Sequence, residues 1–263
     1  MPASEHPAVP RPPDLNLQIW RYMDFTKYVS MIKEGGLYFS RADLLGDPLE
    51  GSFPRSTILS RRELYAPMVA ELNARGDPVT ADEFLEEIAN LFQQARRAIF
   101  VNCWHESEFE SVAMWKLYSS SSESIAIKSS YGRLIEILDD SCFVGSIEYL
   151  DFQADTIDDW NAFSGIMHKR SAFQHEREVR ALSWHQALSE AAARLGEDEQ
   201  VDVDLDRLPK GIWKRLSLPD LIDGIYVSPA SPVWFAELVE SVSRRYELGI
   251  PVHRSVLEAE PTF

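Results

Sequence analysis

The chain is expected to fold as an α+β protein: a mixed, largely antiparallel central sheet, a helical insertion and a C-terminal strand–helix–strand unit. Three observations predict this. Short apolar strands and helices follow one another irregularly, which disfavours a regular doubly wound sheet. Residues 57–97 carry helical periodicity with no strand among them. The last part, IDGIYVSP, PVWFAELVESVSRRYELG and IPVHRSVL, has the order of a crossover between neighbouring strands of one sheet.

In chain order, residues 1–16 hold five prolines before Leu15 and few apolar residues, so they are expected to be a disordered or extended lead-in. A single domain over 17–258 follows, with a short tail at 259–263. LNLQIWRYM reads as a strand, because Leu15, Leu17 and Ile19 alternate. In DFTKYVSMIKEGG, Phe25, Tyr28, Val29 and Ile32 have helical spacing, Asp24 offers an N-cap, and Gly35-Gly36 stop the helix. LYFSR is the second strand, and ADLLGDPLEGSFP is a loop by its Gly, Pro and Asp content.

STILSRRELYAPMVAELNARG reads as one helix or a kinked pair, broken by Pro67. Thr80 and Glu83 form a capping box that opens FLEEIANLFQQARR. AIFVNCWH is a continuous apolar run, hence a buried strand ending at His105. ESVAMWKLYS and YGRLIEILDD read as helices, ESIAIKSS and FVGSIEYLDF as strands, with a short helical stretch near 158–168. KRSAFQHEREVRAL, Lys169–Leu182, is expected to be one strand, followed by a helix over WHQALSEAAARLG. GEDEQVDVDLDRLP holds an acidic linker and a short edge strand. Ser231 is expected to cap the last helix and Gly249 to end it.

Composition narrows the function. With 263 residues and 45% apolar content the chain can bury a sizeable core. No run approaches the roughly 20 apolar residues of a membrane span, and no secretory signal opens the chain. The two cysteines, Cys103 and Cys142, lie in apolar runs and read as reduced buried thiols, so a cytoplasmic location is expected. A formal charge of −16 disfavours non-specific grip on nucleic acid.

Several constellations could carry chemistry. On the strand expected over Lys169–Leu182, Glu176, Glu178 and Arg180 share one face. They would form either a structural ion-pair network or a site where a carboxylate orients a hydroxyl or acts as base. Arg21, beside Tyr22 at the end of the first strand, suits phosphate binding or is an exposed strand-end residue. In Gly46–Gly51, turn chemistry accounts for Asp47 but leaves Glu50 open to a site role. His105 emerges where a buried strand ends, either as a functional group or as a satisfied core histidine. Lys169 is a further candidate. Met114, Trp115 and Tyr118 read as packing. No metal-ligand spacing is recognisable.

The stretches WRYMDFTKYVSMIKEGGLYFSRADLLGDPLEG, FVNCWHESEFESVAMWKLYSSSSESIAIKSSYGRL, KRSAFQHEREVRAL and GIYVSPASPVWFAELVESVSRRYELGIPV together resemble a bacterial family catalogued as domain of unknown function 2971. That resemblance runs over most of Trp20 to Ser255 and implies an effector among phage-defence and toxin-like genes. The order of strand, Arg-Tyr, helix, Gly-Gly and Leu-Tyr-Phe-Ser also resembles the start of ADP-ribosyltransferase-type domains. This resemblance implies NAD as substrate, held by Arg21 and by Tyr38 or Ser40. It makes Glu176 and Glu178 the catalytic pair, with Glu178 the chemical member. Departures are the absence of a Ser-Thr-Ser motif and looser spacing.

The expected function is therefore an NAD-using ADP-ribosyltransferase or NAD glycohydrolase acting on a protein or nucleic-acid acceptor, with a cognate regulator. The alternatives are a metal-dependent nuclease using Asp47, Glu50, His105, Lys169, Glu176 and Glu178, and a non-enzymatic partner or antitoxin-like module.

Overall fold

The computed structural model describes residues 2–119, 121–158, 161–185 and 207–258. All but the first two residues of the helix expected over WHQALSEAAARLG, most of GEDEQVDVDLDRLP, and the tail 259–263 lie outside the described residues. The elements are β1 (Gln18–Asp24), α1 (Phe25–Glu34), β2 (Gly36–Arg41), α2 (Arg55–Arg75), α3 (Ala81–Ala98), β3 (Ile99–Glu106) and α4 (Val112–Tyr118). Then come β4 (Ser124–Ser130), α5 (Tyr131–Ile137), β5 (Cys142–Ser146), β6 (Glu148–Leu150), α6 (Ala162–Met167), β7 (His168–Arg170) and β8 (Glu178–Trp184). After the gap follow β9 (Gly211–Arg215), α7 (Leu218–Leu221), β10 (Gly224–Val227), α8 (Val233–Arg245) and β11 (Val252–Arg254).

The central sheet has the order β11-β10-β4-β1-β3-β2-β9, and β8 joins β3 to β5. Its pairings are antiparallel except β10 with β11, the parallel pair that α8 connects. The α+β class, the mixed antiparallel sheet and the C-terminal strand–helix–strand unit are thus as expected. β6 and β7 form a separate parallel pair.

Alternation along each strand divides the core. One sheet face carries Ile19, Met23, Phe39, Phe100, Trp104, Ile125 and Ile127, which pack against Tyr28 and Met31 of α1, Leu134 of α5, and Phe235 and Val239 of α8. The opposite face carries two smaller clusters. Ile99, Val101 and Leu182 meet Phe163, Ile166 and Met167 of α6. Trp20, Tyr22 and Ala126 meet Met114 and Trp115 of α4. The candidate site sits between these two clusters.

α1 ends where Gly35 takes the left-handed conformation (φ 65°), and its N–H caps the Met31 carbonyl. α2 and α3 form a hairpin, and the Thr80–Glu83 capping box is formed as expected. The lead-in runs along β5: Ser4 N–H donates to the Cys142 carbonyl, Ser146 N–H donates to the Pro10 carbonyl, and Ala3 and Val9 are buried.

Several local expectations are corrected. α2 passes through Pro67 unbroken. Pro67 is exposed and so is Glu63, whose carbonyl loses its donor, so water can satisfy it. FVGSIEYLDF is two strands, because at Ile147 the chain leaves β5 and its N–H bonds the Glu178 carbonyl instead. Ser231 does not cap α8: its hydroxyl donates to the Ser228 carbonyl, and Pro232 holds the cap position. α8 stops at Arg245, before a left-handed Glu247 (φ 58°), rather than at Gly249. β9, an edge strand on β2, was not expected.

Candidate functional site

The Lys169–Leu182 segment is not one strand. β7 ends at Arg170, a 3-10 helix covers Ser171–Glu176, and Arg177 takes a left-handed conformation (φ 37°) before β8 begins. Glu176 therefore does not share a strand face with Glu178. The turn folds the segment back on itself, and Lys169 Nζ reaches both Glu176 Oε2 (2.6 Å) and Glu178 Oε2 (3.2 Å).

β3 splits the sheet next to this turn. One of its edges meets β1 only at Ile19↔Glu106 and Trp20↔His105, and β2 only at Ser40↔Val101 and Arg41↔Phe100. Asn102, Cys103 and Trp104 have no strand partner on that edge. Side chains take up what the ladder leaves open. Asn102 Nδ2 donates to the Tyr38 carbonyl (2.8 Å), its Oδ1 accepts from Trp104 Nε1 (2.7 Å), and Arg21 Nη1 reaches the Cys103 carbonyl (3.4 Å).

A cavity of about 520 Å³ opens at this split. It touches all three apolar clusters, through Met31, Val101 and Met114. Arg21, Tyr38, Ser40, His105, Glu176 and Glu178 all line it. Of the sequence candidates, Asp47, Glu50, Lys169 and Arg180 do not line it; the last three stand behind the glutamates.

That buried layer is a closed network. Arg180 Nε donates to Glu178 Oε1 (2.7 Å), its Nη2 to Glu178 Oε2 (3.0 Å) and to Glu50 Oε1, and its Nη1 to the Ile166 carbonyl (2.5 Å). Lys169 Nζ also lies 3.6 Å from Glu50 Oε1. Glu50 reaches inward because Gly51 turns left-handed (φ 73°) in a space where a Cβ would meet Ile166 Cδ1 at 2.8 Å. Asp47 is clamped by Arg170 at 2.7 and 3.2 Å.

Burial alone would raise the Glu178 pKa, but the Arg180 and Lys169 charges outweigh it and bring it down to about 2. Burial works against the Lys169 and Arg180 cations too, and the Glu178 and Glu50 carboxylates push both pKa values up. Three carboxylates (Glu50, Glu176, Glu178) face two cations (Lys169, Arg180), which formally leaves one negative charge beside the cavity. Glu178 is saturated by its partners, whereas the Glu176 carboxylate has Lys169 alone among the described residues.

Burial raises the Cys103 thiol, and the neighbouring Glu178 raises it further, so it is no thiolate nucleophile. No group of three or more His, Cys, Asp or Glu side chains among the described residues is placed to hold a metal ion.

Several lining residues are not among the sequence candidates, Trp213, Tyr118 and Lys27 among them. Trp213 stands edge-on to Tyr38, with ring centroids 5.1 Å apart, and came with the unexpected β9. Tyr118, expected to pack in the core, is 46% exposed and lines the cavity. Its spacing of three and four residues from Trp115 and Met114 puts it on their stripe, but it is the last residue of α4, where the helix ends. Lys27, on the outward side of α1, also lines the cavity.

The arrangement can hold a flat ring against aromatic side chains, meet an anion with Arg21 and Lys27, and set carboxylates against a hydroxyl or a developing positive charge. No helix is long and apolar enough to cross a membrane, among the described residues. No protein-family model matches the chain, and neither does a curated protein or a solved structure.

Proposed function

We propose that the chain is an NAD-using enzyme of the ADP-ribosyltransferase or NAD glycohydrolase type. The reading is supported by one observation: Arg21, Tyr38, Ser40, Glu176 and Glu178, far apart in sequence, line a single cavity at the split in the sheet. Its volume lies in the ~300–1,000 Å³ range of small-molecule sites.

In this reading Arg21 and Lys27 meet the pyrophosphate, and Tyr38 with Trp213 flanks the nicotinamide. The bond between nicotinamide nitrogen and ribose C1′ breaks, and its electron pair leaves with neutral nicotinamide. The positive charge left on the ribose faces the glutamates. Glu178, held ionised by Arg180 and Lys169, serves as fixed negative charge rather than as a base. Water or a target nucleophile then adds to C1′ and loses a proton. With water the products are ADP-ribose, nicotinamide and H⁺. The effector setting, with a cognate regulator and a cytoplasmic location, belongs to the same proposal.

The saturation of Glu178 favours a second reading, a non-enzymatic partner module in which the network is purely structural. Chromatographic detection of nicotinamide after incubation with NAD separates the two. The enzyme reading expects release by wild type and its loss in Arg21→Ala under conditions where circular dichroism shows the variant folded. Absence of both nicotinamide release and target modification would sink it.

A further inference from the structure

We propose that His105 takes the proton from the nucleophile that adds to the sugar carbon in this cavity; the proposal rests on the NAD reading above. His105 sits at the end of β3, paired across to Glu178 of β8 and to Trp20 of β1. It is 8% exposed and lines the cavity. Its Nδ1 lies 2.6 Å from the Glu176 carbonyl oxygen. A carbonyl only accepts, so Nδ1 carries the hydrogen and Nε2 carries the lone pair. Nε2 has no protein partner among the described residues. The ring is thus fixed in the tautomer of a base, and the residue that fixes it is itself a cavity glutamate.

The charged and titratable surroundings suit that role. Burial holds the imidazole neutral and Arg177 on the turn opposes its protonation, while Glu106 on β3 and Glu176 favour it. Glu178 faces it from β8 and Tyr22 from β1, and Tyr118 of α4 lines the same cavity. In the step, the O–H bond of the nucleophile breaks toward Nε2 as the C1′–O bond forms. The C1′–N electron pair departs with nicotinamide, and the imidazolium then gives its proton to solvent. Glu178 cannot fill this place, because both its oxygens are committed to Arg180 and Lys169.

The test is nicotinamide release against pH, from about 5 to 9, spanning the ordinary histidine range. It uses wild type, His105→Gln, and His105→Ala with and without added imidazole. Wild type should lose activity on the acid side with a pKa below 6.5. His105→Gln should lose about 100-fold in kcat, with KM kept and the acid limb gone. Imidazole should restore part of the His105→Ala rate. His105→Gln that keeps both rate and acid limb overturns this inference and leaves the NAD reading standing; wild type that releases no nicotinamide overturns both. Should the variants not fold, ¹⁵N long-range correlation on wild type decides: a hydrogen on Nδ1 is expected, and one on Nε2 overturns the proposal.

Discussion

Along one edge β3 is laddered to β8 residue for residue, from Ile99↔Trp184 to His105↔Glu178. Along the other it meets β1 at one end and β2 at the other, and three residues between go unpaired. Behind the β8 edge the charged groups of the Arg180–Glu178–Glu50–Lys169 network engage one another. At the split edge, a few side chains stand in for strand partners and the rest of the space is cavity. The difference teaches that one strand can be an anchor on one side and a site wall on the other. Disturbing the closed side should show in folding, and disturbing the open side should show in binding.

The largest effect should come from Arg180→Met. It leaves Glu178 and Glu50 buried against Lys169 alone, and breaking such a pair costs about 3–5 kcal/mol. Chemical denaturation should show this without any ligand; a shift under about 1 kcal/mol would mean that the network is not the anchor.

Acid titration gives a second handle on the same side. The Glu178 pKa is depressed to about 2 in the folded protein, from an ordinary 4.5. The stability this contributes is therefore present above the unfolded value and lost as pH falls through the folded one. Glu178→Gln should flatten stability against pH between those two values, read from melting temperatures across a pH series. An unchanged slope would show that other carboxylates dominate the acid response.

On the open edge, Asn102→Ala removes the donor to Tyr38 and the acceptor for Trp104. Leaving those buried groups unmet should cost about 1–3 kcal/mol. A loss as large as that of Arg180→Met would erase the contrast between the edges. Tyr118→Ala should be the mildest, within about 0.5 kcal/mol, because the ring is substantially exposed. The same change should weaken nucleotide binding measured by calorimetry, and unaltered affinity would remove Tyr118 from the site.

How much of this was legible follows the periodicity of each segment. β3 announced itself as a continuous apolar run, and Thr80–Glu83 as a capping box, because both signals are local. The 3-10 turn after β7 left no trace: its left-handed residue is an arginine where a glycine would have marked the reversal. β9 is too short and too evenly half-buried to show alternation. Within the site, residue types suggested Arg21 and the glutamates, and the resemblance to ADP-ribosyltransferase-type domains implied Tyr38, yet neither periodicity nor spacing says that β1 and β2 part from β3. That separation arises from long-range pairing, as does the choice of Glu178 as the saturated carboxylate.

α1 carries a further consequence. β1 and β2 run in the same direction, and α1 returns the chain between them, so its ten residues, about 15 Å of rise, decide where along β3 the second strand re-enters. An inserted or deleted residue there would not be absorbed as in a surface loop. It would slip β2 by one position and exchange Tyr38 and Ser40 for Leu37 and Phe39, trading the polar wall of the site for core side chains. The helix is a length standard, and a chain that keeps the site should keep its residue count even where its sequence drifts.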